Sequence, residues 1–450
     1  MTGPTGPIGL TGKTGITGIT GMTGPAGPAG TPILGVVLDY IIARANTVMT
    51  IPPGTITSIG PLVVESQSGN AITYDGTVNF LINKSGLYQI TYNIEFGPLE
   101  APGLDDVSVW WQSTNLPARM GMGVSDRSLN YLNNVTTIQL FAGDSVSFAI
   151  EDNNQVVITG APDATSPTRF SLARLVQNED IVVRLNSNQS LTDGSNDVFA
   201  NTFTELQDGE LVQVSGVGLY KITIAGTYEI NFNVDVQGTP TTNVMSAWFE
   251  FPQNSGTTYG ESLSQTTSTR CNGVSCLRLY GSPAQFITNQ PQAGQTAIGT
   301  AATTSLTRFS LVQYGGKGAQ SLSHVNGSVT VEPTVPTLLV PTEDYVQGDV
   351  TYDQNGVFTI NSGGIYRIMF AAVADNTGAG VGTYSTWWDA ENVYPSATFG
   401  TSETQASVGS MNSATTIAMP SGAQIRFWAL NITLQPTTWI SPYFAIVQMA

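Results

Sequence analysis

FLINKSGLYQITY, running from Phe80 to Tyr92, returns twice: YKITIAGTYEINF from Tyr220 to Phe232 and FTINSGGIYRIMF from Phe358 to Phe370. The shared frame is aromatic-x-Ile-x-x-x-Gly-x-Tyr-x-Ile-x-aromatic, with glycines at Gly86, Gly226 and Gly364, 140 and 138 residues apart. That period is the size of a domain. On both sides of the glycine apolar residues alternate with polar ones, which predicts two half-buried strands meeting at a tight turn that glycine accommodates.

Two further landmarks keep the same period. TRFSLARL from Thr168, TRFSLVQY from Thr307 and PYFAIVQM from Pro442 place Phe170, Phe309 and Phe444 near the end of each unit. Between the landmarks lies an aromatic strand carrying Trp110 and Trp111, then Trp248, then Trp387 and Trp388. Large aromatics of this kind are expected in cores, and none calls for a cofactor.

Residues 1–32 are a different polymer. Glycine occupies every third position from Gly3 to Gly30, with Pro4, Pro7, Pro25 and Pro28 in second position. Only glycine fits the crowded axis of three intertwined chains, so this stretch is expected to form a collagen triple helix of three chains, a rod on the order of 90 Å long. Thr5, Thr11, Thr14, Thr17, Thr20 and Thr23 fill third positions, where their hydroxyls either carry O-linked sugar or are solvated. The sequence enters the repeat directly after Met1 and Thr2, so an anchoring region is expected to lie outside it.

The remainder divides into three units of ordinary domain size, 33–176, 177–316 and 317–450. Short alternating stretches such as TTIQLFAGDSVSFAI from Thr136 are broken by turn residues, and no segment combines helical periodicity with caps. The fold class expected is all-β, three tandem two-sheet sandwiches or jelly rolls.

Charged residues make up 10% of the chain, and the balance of 15 basic against 32 acidic residues gives a net charge of −17. Nucleic acid is disfavoured as a partner, because phosphate binding needs clustered Lys and Arg. No apolar run approaches the roughly 20 residues of a membrane span, so no membrane partner is expected. Cys271 and Cys276 flank Asn-Gly-Val-Ser; facing each other across a short hairpin they would form a local disulfide or a buried free pair. A metal would need two more ligands, and the single histidine, His324, lies in another unit. With one histidine and no clustered acid–base or nucleophile constellation, an enzyme is not expected.

A collagen-like stalk followed by units bearing Gly86 with Tyr88, Gly226 with Tyr228 and Gly364 with Tyr366, each closed by a Phe-containing strand, resembles the globular heads of the complement first component and tumour necrosis factor superfamily. The threonine-rich stalk is similar to those of collagen-like glycoproteins on bacterial spore surfaces, the exosporium; phage fibres, which also join collagen-like repeats to trimeric tips, are the alternative. The resemblance implies jelly-roll heads that pack as trimers around a threefold axis. Tandem copies satisfy this either as three stacked tiers of like domains from three chains, or as one chain closing into a pseudo-threefold head. With about five residues between units, a reach of roughly 17 Å, closure within one chain is the easier route.

The function expected is a non-enzymatic structural and adhesive fibre on an extracellular bacterial surface, with receptor or glycan binding as the alternative. Loops from Gly97 and from Asp375 are candidate contacts for a surface glycan or protein ligand. Asp105 and Asp106, with Glu100 nearby, are weak candidates for a calcium site, since no spaced ligand loop accompanies them. Asn134 and Asn431 open Asn-x-Thr triplets that matter only in a glycosylating host.

Overall fold

The computed structural model describes Gly3 and residues 39–97, 107–125, 130–175, 180–191, 196–197, 202–207, 212–214, 219–221, 225–237, 245–250, 258–264, 270–279, 283–289, 296–300, 305–314, 320–325, 328–375, 382–406, 408–433 and 435–449. The chain separates into two compact units, Met1–Pro32 and Ile33–Ala450. Apart from Gly3, the collagen-like repeat lies outside the described residues.

The second unit is all-β and consists of three jelly rolls with one strand order. In the first, one sheet runs Tyr131–Leu140, Gly86–Glu95, Arg169–Leu175, Asp39–Ala45, Leu62–Ser68, and the facing sheet Ile72–Tyr74, Phe80–Ile82, Ser145–Glu151, Val107–Ser113, Leu116–Ser125. The same two orders recur around the long strands Gly226–Gln237 and Gly364–Asp375. Register ties the sequence landmarks together: Phe170 lies opposite Tyr92, Phe309 opposite Phe232 and Phe444 opposite Phe370. The closing phenylalanine of each unit is thus the cross-strand partner of the last aromatic in the repeated frame.

Three features differ from the sequence reading. The Phe-x-Ile and Gly-x-Tyr segments do not form a hairpin, because Phe80–Ile82 and Gly86–Glu95 belong to opposite sheets and residues 83–85 cross between them. Gly86 is not at positive φ. Its hydrogen leaves room for the Arg174 side chain, whose Nε would lie 2.7 Å from a Cβ there. The tyrosine two residues on fixes the crossing: the Tyr88 hydroxyl donates to Lys84 O at 2.5 Å and the Tyr366 hydroxyl to Ser362 O at 2.7 Å. Finally, Trp111 pairs with Phe148, Trp388 with Phe427 and Phe249 with Phe286, so the position shared by Trp111 and Trp388 is held in the second unit by Phe249, not Trp248.

The long Gly-Tyr strands are buried on both faces, not one. Tyr88, Ile90, Tyr92 and Ile94 point into the core of their own sandwich, as do Tyr228, Ile230, Phe232 and Val234 in the second and Tyr366, Ile368 and Phe370 in the third. The opposite faces join a fourth apolar cluster drawn from all three jelly rolls, including Leu87, Val135, Val274, Val312, Ile365 and Met369. Its geometry is cyclic. Strand Tyr131–Leu140 of the first jelly roll packs on Gly226–Gln237 of the second, Arg270–Leu279 of the second on Gly364–Asp375 of the third, and Val408–Met419 of the third on Gly86–Glu95 of the first. Three equivalent contacts that return to their start describe a pseudo-threefold axis within one chain.

Candidate functional site on the pseudo-threefold axis

Residues at odd offsets from each repeat glycine face the axis, so equivalent positions meet in successive layers. The first layer is Leu87, Thr227 and Ile365. The second, three residues after the glycine, is Gln89, Glu229 and Arg367, and this layer holds a buried ion pair. Arg367 and Glu229 have no exposed side-chain surface. The guanidinium faces the carboxylate as a fork, Nη2 to Oε1 at 3.2 Å and Nε to Oε2 at 3.3 Å. Gln89 Nε2 donates to Oε1 at 2.8 Å, and the Tyr314 hydroxyl donates to Oε2. Arg367 Nη1 donates to Thr91 Oγ1 at 2.6 Å and Thr416 Oγ1 at 2.9 Å.

Four donors on two carboxylate oxygens use the capacity of that group, and the arginine gives both Nη1 donors to hydroxyls. A buried pair survives desolvation only when it is satisfied in this way. Burial raises the Tyr314 phenol and the Cys276 thiol well above their ordinary values, with the Glu229 charge adding to both shifts. Both therefore stay neutral beside the pair.

The fourth layer carries amides. Asn233 Nδ2 donates to Val135 O at 3.4 Å, and Asn93 Nδ2 makes the equivalent bond to Ala414 O at 3.1 Å. Asn134 Nδ2 donates to Asn233 Oδ1, and Ser413 Oγ makes the equivalent bond to Asn93 Oδ1, both at 3.0 Å. At the second-to-third seam the matching positions are Ala371 and Gly273. That seam packs without the amide ladder, so it differs chemically from the other two.

Cys271 and Cys276 are both buried, and neither is in a disulfide. They lie on one continuous strand, Arg270–Leu279, and not across a hairpin. Five residues apart on a strand, they point to opposite faces, Cys271 into the second sandwich and Cys276 into the axial cluster, so no local disulfide can close. Asn134 and Asn431 are 4% and 0% exposed and hydrogen-bonded, the latter to Val331 O and Gln435 O, so the folded chain offers neither to a glycosyl donor. Asp105, Asp106 and Glu100 lie outside the described residues, as does most of both candidate loops. Among the described residues no group of three or more His, Cys, Asp or Glu converges on a metal position, and no helix is long and apolar enough to cross a membrane. His324 faces Asp344, Nδ1 to Oδ1 at 2.7 Å.

The seam between the third and first jelly rolls holds two carboxylates. Asn130 N donates to Glu403 Oε2 at 2.9 Å and Ser385 Oγ to Oε1 at 3.0 Å. Burial raises the Glu403 carboxyl above its ordinary value; burial likewise raises Glu95, with the Glu403 charge contributing, while a Tyr131 hydrogen bond opposes the shift. A carboxyl whose pKa is higher in the fold contributes stability that is complete below its unfolded pKa and lost as pH rises through the folded value. The seam is therefore firmest in mild acid. Glu403→Gln keeps an acceptor for Asn130 and removes the charge. The variant is expected to melt higher than the parent near pH 7 and to lose that advantage near pH 4; thermal melts at both values check this.

No protein-family model matches the sequence, and no curated protein matches it. Among solved structures, a chain from the atomic structure of Sulfolobus Turreted Icosahedral Virus is 13% identical, with 91% of this chain and 92% of that chain covered, at a TM-score of 0.20. A chain described with a triple jelly roll fold and turret assembly in an archaeal virus is 12% identical, with 91% of each chain covered, at a TM-score of 0.19. Superpositions this loose carry no inference about function.

Proposed function

We propose that this chain is a non-enzymatic structural protein of an extracellular fibre, in which residues 33–450 form a self-contained head on a collagen-like stalk shared by three chains. The observation that carries the reading is the axial layer of Gln89, Glu229 and Arg367. In a tiered homotrimer three copies of Glu229 would converge in one buried layer and three copies of Arg367 in another, each an uncompensated like-charge cluster. Within one chain the same positions hold one amide, one anion and one cation, which neutralise each other. A trimeric head folded from one chain makes each stalk strand carry its own cap.

The low charge content, the threonine-rich stalk and the resemblance to exosporium glycoproteins support a bacterial spore or cell surface as its location. The head would end the fibre, hold the triple helix in register and present loops for attachment. Ten Gly-X-Y triplets with four second-position prolines form a weak triple helix by themselves. Circular dichroism on the whole chain is expected to show the triple-helix signal melting well below the sheet signal. A triple-helix signal that outlasts head unfolding would remove the capping role.

A further inference from the structure

Three buried polar atoms gather at the Asp375 end of the third jelly roll, Tyr384 Oη, Thr437 Oγ1 and Trp439 Nε1, and none has a hydrogen-bond partner in the protein. Their residues are 0%, 1% and 0% exposed, so bulk solvent does not reach them. The topology brings them to one place from both sheets. Tyr384 lies opposite Asn431 in the facing sheet. Asn431 Nδ2 donates to Val331 O at 3.2 Å, and Val331 lies opposite Thr437, which shares a strand face with Trp439 two residues on. Tyr384, Val331 and Trp439 belong to one buried cluster. The Tyr384 hydroxyl sits beside the loop that follows Asn431, since a Cβ added to Gly382 would meet both Tyr384 Oη and Thr433 Cγ2. The Asn431 amide is engaged elsewhere: Nδ2 also donates to Gln435 O at 2.7 Å, and Oδ1 accepts from Thr433 N at 2.9 Å.

The same positions in the first jelly roll are apolar. Tyr384 stands four residues before Trp388, as Val107 stands four before Trp111, and their neighbours Thr404 and Ser125 keep that match. The pairs Val331 with Thr437 and Val329 with Trp439 correspond to Ile51 with Val156 and Met49 with Ile158. The loops that follow confirm this alignment, because Thr334 N donates to Asn431 O as Gly54 N donates to Asp152 O, both from positive φ. Val107, Val156 and Ile158 are all 0% exposed. The fold thus closes this end with three aliphatic side chains in one copy and places three hydrogen-bonding side chains there in another. A buried donor or acceptor without a partner is costly, and native folds satisfy such groups with protein atoms or ordered water.

We propose that this end of the third jelly roll is a binding site for enclosed water that bridges Tyr384 Oη, Thr437 Oγ1 and Trp439 Nε1. A buried water makes about three hydrogen bonds, so three atoms call for about one molecule. The chemistry of the set fits water. The indole N–H only donates, while each hydroxyl donates or accepts, so the occupant has to accept and donate at once. A metal cation is unsuited, because the indole presents it with a proton. The water would join Tyr384 of one sheet to Thr437 and Trp439 of the other, doing by hydrogen bonds what Val107, Val156 and Ile158 do by apolar packing. This is independent of the surface on which the fibre is displayed.

Thr437→Val and Tyr384→Phe in the full chain test the site, each keeping the shape of the side chain and removing only its hydroxyl. If water bridges the three atoms, each variant is expected to unfold at lower denaturant than the parent, and the double variant to lose clearly less than the two single losses added together. Oxygen-17 relaxation dispersion is expected to show the double variant holding about one fewer long-lived water per chain. Single variants as stable as the parent or more so, with an unchanged long-lived-water signal, would overturn the proposal, since removing a hydroxyl that has no partner relieves a cost. Strictly additive losses would also overturn it, because the two hydroxyls would then share no occupant. So would a parent stability that rises when chloride replaces gluconate at fixed ionic strength and does not rise in the double variant, which would assign the site to an anion.

Discussion

Arg367→Met is expected to reduce the stability of the head by about 3–5 kcal/mol, the usual cost of removing one partner from a buried ion pair. The loss is large because Glu229 has no exposed side-chain surface and would keep only Gln89 and Tyr314 as donors. Thr91 and Thr416 would also lose the donor they share. Met matches the aliphatic stem of arginine closely, so cavity formation contributes little, and the charge dominates the result. The sharper measurement is the double variant Glu229→Gln with Arg367→Met. If the layer is charge-compensated, the second substitution recovers much of the stability that the first removes, and a double-mutant cycle returns a coupling energy on the order of 2–3 kcal/mol. Additive losses in chemical denaturation would mean that the two side chains act separately, as ordinary buried polar groups.

The same layer shows where the sequence was readable and where it was not. Tyr88, Ile90 and Tyr92 announced one buried face by alternation, and the triple recurrence of that pattern gave the number of jelly rolls. The polar residues between them, Gln89, Thr91 and Asn93, carry the pattern of a solvated face, and in a single sandwich they would be one. They are buried because a second and a third sheet cover them, an effect of packing between domains that no local periodicity contains. A signal was nevertheless present: aligning the three repeats at their glycines places Gln, Glu and Arg in one column. A column that changes charge sign between otherwise similar repeats suits three positions that meet, and fits poorly with three positions that each face water. The crossing at residues 83–85 was hidden for a different reason. A glycine beside a tyrosine looks the same in a tight turn as in a passage between sheets, and only the positions of Arg174 and Lys84 distinguish them. For the cysteines, the Asn-Gly between them is a turn dipeptide that suggests a hairpin, but here it sits inside Arg270–Leu279, where Asn272 faces Asn233 and Gly273 faces Phe232, and of the two outcomes expected the pair is buried and unbridged.

Residues 33–450, produced without the repeat, are expected to have the mass of a single chain by light scattering on a size-exclusion column, and to keep that mass across a wide concentration range. The whole chain is expected to have three times its own monomer mass below the melting point of the stalk. The reasoning runs through the surfaces that each assembly would bury. In one chain, the closing strands Arg169–Leu175 and Arg308–Tyr314 are followed after four and five residues by the next entry strands, Asp180–Leu185 and Gln320–His324, so two seams form at high effective concentration. The third seam then closes on surfaces already in place. Three chains in tiers would have to bring like residues together at every layer, so the Glu229 layer would need to take up protons and the Arg367 layer would have no anion. A stalkless head that runs as a trimer at neutral pH would therefore contradict the single-chain head, and with it the reading of Gln89, Glu229 and Arg367 as one compensated layer.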